Sequence, residues 1–141
     1  YALGAVHIIE AFDKVRNHYG INRVGQLGAL AALADQAYLA DVVSKIARAR
    51  GMISDIARAN GLTPLPSATN FVAIDCGADA QFAKSVLDGV LAERVFIRKP
   101  GVAPLDRCIR VSCGSDPDIA LFAKALPAAI AKAKDKRLAA S

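Results

Sequence analysis

Two arginines stand in short apolar segments where a charged side chain needs a partner. Arg110 lies within the segment CIRVS, and Arg98 ends the segment RVFIR. Strand alternation places Arg110 on the face opposite to Ile109 and Val111. A fully buried arginine is rare unless it is paired, and its planar guanidinium can hold a carboxylate with two parallel hydrogen bonds. The two positions therefore indicate either a site for an anionic ligand or structural ion pairs.

Each candidate residue has a structural alternative. Arg110 can pair equally well with a structural Asp or Glu, and Arg98, which adjoins Lys99, can be a solvated charge. Asn70 opens an apolar strand segment after a Pro- and Ser-rich turn, and its side chain can stabilise that turn. The sequence has no Gly-rich phosphate loop and no nucleophile elbow.

Composition limits the classes of function. The chain has 141 residues, of which 54% are hydrophobic and 22% charged, so it can bury a core and is not expected to be disordered. The net charge of +5 suggests nucleic-acid binding. Much of the excess, however, lies in one terminal stretch that is typical of a solvated helix end: Lys132, Lys134, Lys136 and Arg137. We therefore expect no nucleic-acid partner.

The cysteines and the lengths of the apolar runs indicate the cellular compartment in which the protein is expected. Three cysteines, an odd number, indicate buried thiols in a reducing environment and no disulfide framework. No apolar run approaches 18 residues, and no signal-peptide pattern is present. Cys108 and Cys113 alternate to opposite faces of one predicted strand, so they cannot share a metal ion. We expect a cytoplasmic protein with no membrane segment and no metal site.

The first part of the chain is predicted to be helical. Apolar residues recur at helical spacing over residues 6–16, 23–34 and 36–60. The third helix ends at Asn60-Gly61, two residue types that tolerate a left-handed conformation. At 1.5 Å per residue it spans about 35 Å, which is long enough to connect two domains.

The second part alternates strands and helices. Strands are predicted over residues 70–76, 94–98 and 107–113, and a helix over 79–92. Ser115, Pro117 and Asp118 form a helix-start signal for a last helix that runs to about residue 134. This order predicts the α/β (α+β) class: three helices, followed by a small sheet covered on one face by helices.

Four segments give the chain a family resemblance. In chain order they are YALG, VRNHYGINRVGQLGALAAL, LPSATNFVAID, and the pair VFIRKPG and CIRVSCGSDPD. Together they resemble the C-terminal third of the class I/II pyridoxal-phosphate-dependent aminotransferases of fold type I, and most closely the histidinol-phosphate aminotransferase branch.

The resemblance implies roles for five residues. Arg110 matches the arginine that binds the substrate α-carboxylate, and Arg98 matches a position near the substrate side chain, where it could contact a phosphate or a second carboxylate. Asn70 lies near the floor of the cleft. Tyr19 and Asn22 match a loop near the active site and the dimer interface. None of the catalytic residues of this family is expected in the chain.

The resemblance also implies a domain organisation. Residues 1–34 are expected to be helices at the edge of the large cofactor domain, 35–137 the small domain and 138–141 a tail. The small domain is expected to begin with a long connecting helix and to contain a small mixed sheet covered by helices. The chain begins at Tyr1 without Met, and the lysine that anchors pyridoxal 5'-phosphate is expected before Tyr1, so that these 141 residues alone would be inactive. The first two helices, without their sheet, are expected to pair with a second copy, and the whole enzyme to be a homodimer.

The implied activity is transfer of an amino group between an amino acid, histidinol-phosphate-like or other, and a 2-oxo acid. The chain departs from the branch in VSCG, which replaces Ile-Thr-Val-Gly, and in KPGVAPLDR between the arginine strands. These departures leave the identity of the substrate open. A pyridoxal-phosphate-dependent decarboxylase or lyase of the same fold, and a non-catalytic α/β anion-binding module, remain alternatives.

Overall fold

A computed structural model describes residues 3–17 and 19–139 and divides the chain into two compact units, Tyr1–Ala40 and Asp41–Ser141. Tyr1, which begins the YALG segment, lies outside the described residues. We number helices and strands in chain order and describe each unit by itself.

The first unit is helical. It holds α1 (Val6–Asp13), α2 (Arg23–Ala34) and the start of α3 (Gln36–Ala59). Helix α1 is shorter than the predicted 6–16, and a local turn follows it, in which Asn17 Oδ1 accepts a hydrogen bond from the Tyr19 N–H at 3.0 Å. Within these described elements, no residue of α1 or α2 is buried.

The C-terminal end of α3 matches its sequence signal. Gly61 has a φ of 74°, the Gly61 N–H donates to the Arg58 carbonyl at 3.0 Å, and the Leu62 N–H donates to the Ala57 carbonyl at 3.0 Å. This pair of hydrogen bonds is the Schellman arrangement, in which a residue just beyond the helix takes the left-handed conformation. In the second unit, Ala49, Ile53 and Ala57 form the buried stripe of α3.

The second unit is built on a small sheet. Its strands are β1 (Thr63–Pro64), β2 (Phe71–Asp75) and β3 (Cys108–Ser112), in the order β1-β2-β3. The α/β class is confirmed, but every strand pairing is antiparallel, whereas a mixed sheet was expected. The two segments that run in the same direction, β2 and the one that ends at Arg98, do not pair because β3 lies between them.

The strand predicted over residues 94–98 is mostly irregular. Only Arg98 pairs with β3, through a bridge to Arg110. Arg94 and Val95 instead end the preceding helix, α4 (Ala80–Ala92): the Arg94 N–H donates to the Leu91 carbonyl at 2.9 Å and the Val95 N–H to the Val90 carbonyl at 3.3 Å. Arg94 takes a positive φ of 63° there.

Three helices cover one face of the sheet. Helix α5 (Asp116–Leu138) extends beyond the predicted residue 134, and it begins with the predicted cap, since Asp118 Oδ2 accepts hydrogen bonds from the Ser115 N–H at 3.0 Å and from its hydroxyl at 2.6 Å. The core contains buried residues of α3, α4, α5 and the sheet, among them Ile53, Val72, Ile74, Val86, Val90, Ile109, Val111, Phe122 and Leu126. The described helices include none whose length and apolar content would let it cross a membrane.

Candidate functional site

Arg110 lies on the sheet face opposite to the helices. In the antiparallel register, Ala73 faces Arg110, Phe71 faces Ser112 and Asp75 faces Cys108. Residues directly opposite each other in a ladder point to the same side, so this face carries the even-numbered residues of β3 and the odd-numbered residues of β2. Arg110 is half-buried there.

Arg98 is held beside Arg110 by the main chain. The Arg110 N–H donates to the Arg98 carbonyl at 2.7 Å, and the Arg98 N–H donates to the Arg110 carbonyl at 3.0 Å. Because the two residues exchange both hydrogen bonds, they are a directly opposed pair whose side chains share a face. Like charges placed opposite each other repel. An anion bound between the two guanidinium groups would relieve that repulsion.

The guanidinium of Arg110 contacts an aromatic ring. Its Cζ lies 4.9 Å from the centroid of the Phe71 ring, within the range of a cation–π interaction. Among the described residues, no carboxylate forms a salt bridge or a hydrogen bond with Arg110, which excludes the structural ion pair within this part of the chain. The hydrogen-bond donors of Arg110 are therefore available to a ligand.

The acidic residue on the same face of β2, Asp75, is bound by a different arginine. Arg107 Nε donates to the two carboxylate oxygens of Asp75 at 3.0 and 2.9 Å, and a second guanidinium nitrogen also contacts Asp75. The Gly77 N–H adds a hydrogen bond at 2.8 Å. The hydrogen bonds from Arg107 lower the pKa of Asp75 below its ordinary value, and its burial opposes them.

This ion pair was not predicted from the sequence. Asp75 and Arg107 are separated by 32 positions, and Arg107 lies in a 3₁₀ turn, Leu105–Arg107, just before β3. The alternation of β2 could have placed Asp75 on the same face as Arg110. Nothing in the local pattern indicates which arginine reaches its carboxylate.

Asn70 lies immediately before β2 and is exposed. Its main-chain carbonyl accepts a hydrogen bond from the Cys113 N–H at 2.8 Å, which extends the β2–β3 pairing by one residue. The turn itself is stabilised by Ser67 and Thr69, whose hydroxyls donate to the Phe71 carbonyl at 2.6 and 3.2 Å. Within the described residues, the Asn70 amide forms no hydrogen bond in that turn and none with either arginine.

Tyr19 and Asn22 belong to the first compact unit. The Tyr19 side chain is 94% exposed. Asn22 is the N-cap of α2, where its Oδ1 accepts a hydrogen bond from the Gly25 N–H at 2.7 Å. This gives Asn22 a local structural role that the loop resemblance did not include.

The thiols and metal-ligand types form no reactive centre in the described part of the chain. Burial raises the pKa of Cys76 to about 12 and also raises the pKa values of Cys108 and Cys113. Such thiols are poor nucleophiles because little thiolate exists near neutral pH. No group of three potential metal ligands occurs within the described residues.

The chain matches the model of the family described as "Aminotransferase class I and II" over residues 1–126. The chain belongs to this family. It is 34% identical over 126 residues to histidinol-phosphate aminotransferase 2 of Methylococcus capsulatus. That match covers 89% of this chain and 33% of that protein.

Two further comparisons agree with the family assignment. A histidinol-phosphate aminotransferase of Bacillus licheniformis is 32% identical over 126 residues, covering 89% of this chain and 34% of that protein. The crystal structure of histidinol-phosphate aminotransferase from Sinorhizobium meliloti in complex with pyridoxal-5'-phosphate is 54% identical, with a TM-score of 0.82 over 86% of this chain and 34% of that one. The chain thus spans about one third of the length of the relatives it matches.

Proposed function

We propose that this chain provides the substrate-anion site of a pyridoxal-phosphate-dependent aminotransferase that transfers an amino group between a histidinol-phosphate-like amine and a 2-oxo acid. The observation that carries the proposal is the half-buried guanidinium of Arg110. It makes no ion pair with the described residues and lies opposite a second arginine in the same ladder. The names of the relatives supply the substrate class.

The two substrates of such a reaction share one chemical feature. A 2-oxo acid carries a carboxylate next to the reacting carbon, whereas histidinol phosphate carries a phosphate ester close to its amine. Both groups accept paired hydrogen bonds from a guanidinium fork. Arg110 would hold the anionic end of each substrate in turn, and Arg98 would supply a second positive charge for the phosphate or for a distal carboxylate. Fixing that end orients the reacting carbon.

Pyridoxal 5'-phosphate, when bound, supplies the electron-withdrawing ring on which amino transfer depends. Its aldehyde carbon requires an amine as a covalent anchor. The cluster of Arg98, Arg110 and Phe71 offers guanidinium groups and an aromatic ring but no amine, so it cannot be that covalent anchor. The cofactor would be anchored by residues outside this cluster.

The remaining assignments rest on the same proposal. Residues 1–34 would belong to the edge of the large domain, 35–137 to the small domain and 138–141 to a tail, with Asn70 near the substrate and Tyr19 and Asn22 near the active site and the dimer interface. A homodimer is part of the same proposal. The first unit exposes apolar side chains that need a covering surface, which either the rest of the protein or a second copy would supply, namely Val6, Ile8, Phe12, Val15, Ile21, Val24, Leu27, Leu30 and Leu33. The three free thiols are compatible with a cytoplasmic location.

The test uses the enzyme produced from the complete reading frame that contains this chain. Replacement of Arg110 by Gln should lower kcat/KM for the 2-oxo acid and for histidinol phosphate by about 10- to 100-fold, because a charge-assisted hydrogen bond contributes about 1.5–3 kcal/mol. Arg58→Gln is the matched control, since Arg58 is exposed on α3 and pairs with Asp55.

Unchanged kcat/KM in Arg110→Gln would refute the proposal. Release of carbon dioxide in place of an amino-transfer product would instead identify the decarboxylase alternative.

A further inference from the structure

We infer that Phe71 is a positioning residue for the anion site. Its ring holds the Arg110 guanidinium in place, a role that a protein carboxylate would otherwise have to fill. The inference rests on the proposed function, since it concerns how Arg110 is held ready for a substrate anion. Its basis is the 4.9 Å contact between Arg110 Cζ and the Phe71 ring, together with the lack of an acidic partner among the described residues.

The sheet register fixes the contact. Phe71 is opposite Ser112 and Arg110 is opposite Ala73, so Phe71 and Arg110 occupy diagonal positions on one face of the β2–β3 pair. Diagonal neighbours are within reach of long and aromatic side chains. The small Ala73 side chain between them leaves space for the guanidinium to lie over the ring.

The Phe71 main chain is itself firmly held. Its carbonyl accepts hydrogen bonds from the Ser67 hydroxyl at 2.6 Å and from the Thr69 hydroxyl at 3.2 Å. Arg50 of α3 then fixes this turn from outside, because its Nη1 donates to the Thr69 carbonyl at 2.9 Å. The aromatic ring is therefore attached to a well-braced point of the chain and can restrict the motion of Arg110.

An aromatic partner has a different consequence from an acidic one. A carboxylate would neutralise Arg110 and compete with the substrate for the same hydrogen-bond donors. The face of an aromatic ring attracts a cation through its quadrupole and accepts none of the in-plane N–H bonds. Arg110 thus keeps its charge and its donor fork for the substrate anion while it loses conformational freedom before binding. Such preorganisation strengthens binding.

The test compares variants of the holoenzyme made from the complete reading frame. Phe71→Leu keeps an apolar side chain but removes the ring, and it should raise the KM for the 2-oxo acid about five- to tenfold while kcat changes less than about twofold. Phe71→Tyr retains the ring and should restore the KM to within about twofold of the wild-type value. In an Arg110→Gln background, Phe71→Leu should have no additional effect on KM.

Phe82→Leu controls for general loosening of the fold. Phe82 is a buried aromatic residue of α4 in the core, so its replacement should lower the thermal midpoint without raising KM. An unchanged KM in Phe71→Leu, or an equal rise in Phe71→Tyr, would overturn the inference even if Arg110→Gln is severely impaired. If Arg110→Gln is unimpaired, the proposed function fails, and the role of Phe71 fails with it.

Discussion

Asp75 and Arg107 form a two-pronged ion pair on the sheet face that carries Arg110. Arg107 Nε lies 3.0 and 2.9 Å from the two carboxylate oxygens of Asp75, whose side chain is only 17% exposed. Asp75 is diagonal to Arg110 in the ladder, as Phe71 is on the other side. Asp75, the acidic residue diagonal to Arg110 in the ladder, is thus paired with Arg107 and not with Arg110.

This arrangement predicts an effect of Arg107 on substrate binding in the complete enzyme. In Arg107→Gln, the carboxylate of Asp75 loses its partner and can compete with the substrate for Arg110. The KM for the 2-oxo acid should therefore rise by about 10- to 100-fold, because the competing charge-assisted hydrogen bond contributes about 1.5–3 kcal/mol. Steady-state kinetics with varied 2-oxo acid would measure it.

A second substitution separates competition from simple misfolding. In the double variant Asp75→Asn/Arg107→Gln, no free carboxylate remains, and KM should return close to the wild-type value. A double variant as impaired as Arg107→Gln would contradict the competition argument.

The same pair makes stability depend on pH. Because the pKa of Asp75 is lower in the folded protein than in the unfolded chain, the unfolded state binds more protons in acid, and stability falls as pH falls. The contribution is fully present above the unfolded value of about 3.9 and is lost as pH drops through the folded pKa. Urea denaturation should show wild type more stable than Asp75→Asn at pH 7, with the difference shrinking as pH falls below about 3.9 and on through the folded pKa. A difference that does not change with pH would count against the ion pair.

Replacing glycine by alanine should have opposite effects on stability at two helix positions. A Cβ atom added at Gly89 of α4 would lie 2.7 Å from the Cβ of Ala129 in α5, whereas one added at Gly51 of α3 meets no atom within 4 Å. Gly89→Ala should destabilise by about 1–3 kcal/mol through overpacking. Gly51→Ala should stabilise by up to about 1 kcal/mol through helix propensity. Chemical denaturation would compare the two, and equal effects would refute the close packing of α4 on α5.

The rate at which each cysteine is alkylated should decrease with its burial. Cys76 and Cys108 are buried and Cys113 is half-buried, and burial raises all three pKa values. Iodoacetamide at pH 8 should modify Cys113 slowly in the native protein and leave the other two thiols unmodified, while all three react in concentrated guanidinium chloride. Peptide mass spectrometry would identify the sites. Rapid native labelling of Cys76 would show that the core is more open than described.

The sequence predicted the helix ends that are set by hydrogen bonds between residues close to each other in the chain. The stop of α3 at Gly61 and the cap of α5 at Ser115 and Asp118 follow from main-chain and side-chain hydrogen bonds within a few residues. The strand 94–98 was mispredicted because its apolar alternation competes with a helix end at Arg94, where a non-glycine residue takes a positive φ. Residue pattern alone does not show that such a residue will adopt the left-handed conformation.

The partners at the candidate site depended on long-range geometry. Strand alternation indicated the face that Arg110 occupies, but it left a structural ion pair as an open alternative. The contact with Phe71 follows from the register between two strands that lie more than thirty residues apart in the sequence. The pattern of residues in a single sequence does not specify this register.

The hydrogen bonds that join Arg98 to Arg110 have one further consequence. Both residues are fixed through their own main-chain N–H and carbonyl groups, at a Cα separation of roughly 5.5 Å that is common to all such pairs and independent of side-chain type. Replacing either arginine can change the charge or the reach of its side chain, but the distance between the two attachment points stays the same. Under the proposed function, substitutions at these two positions would thus change which anions are accepted while the backbone stays the same.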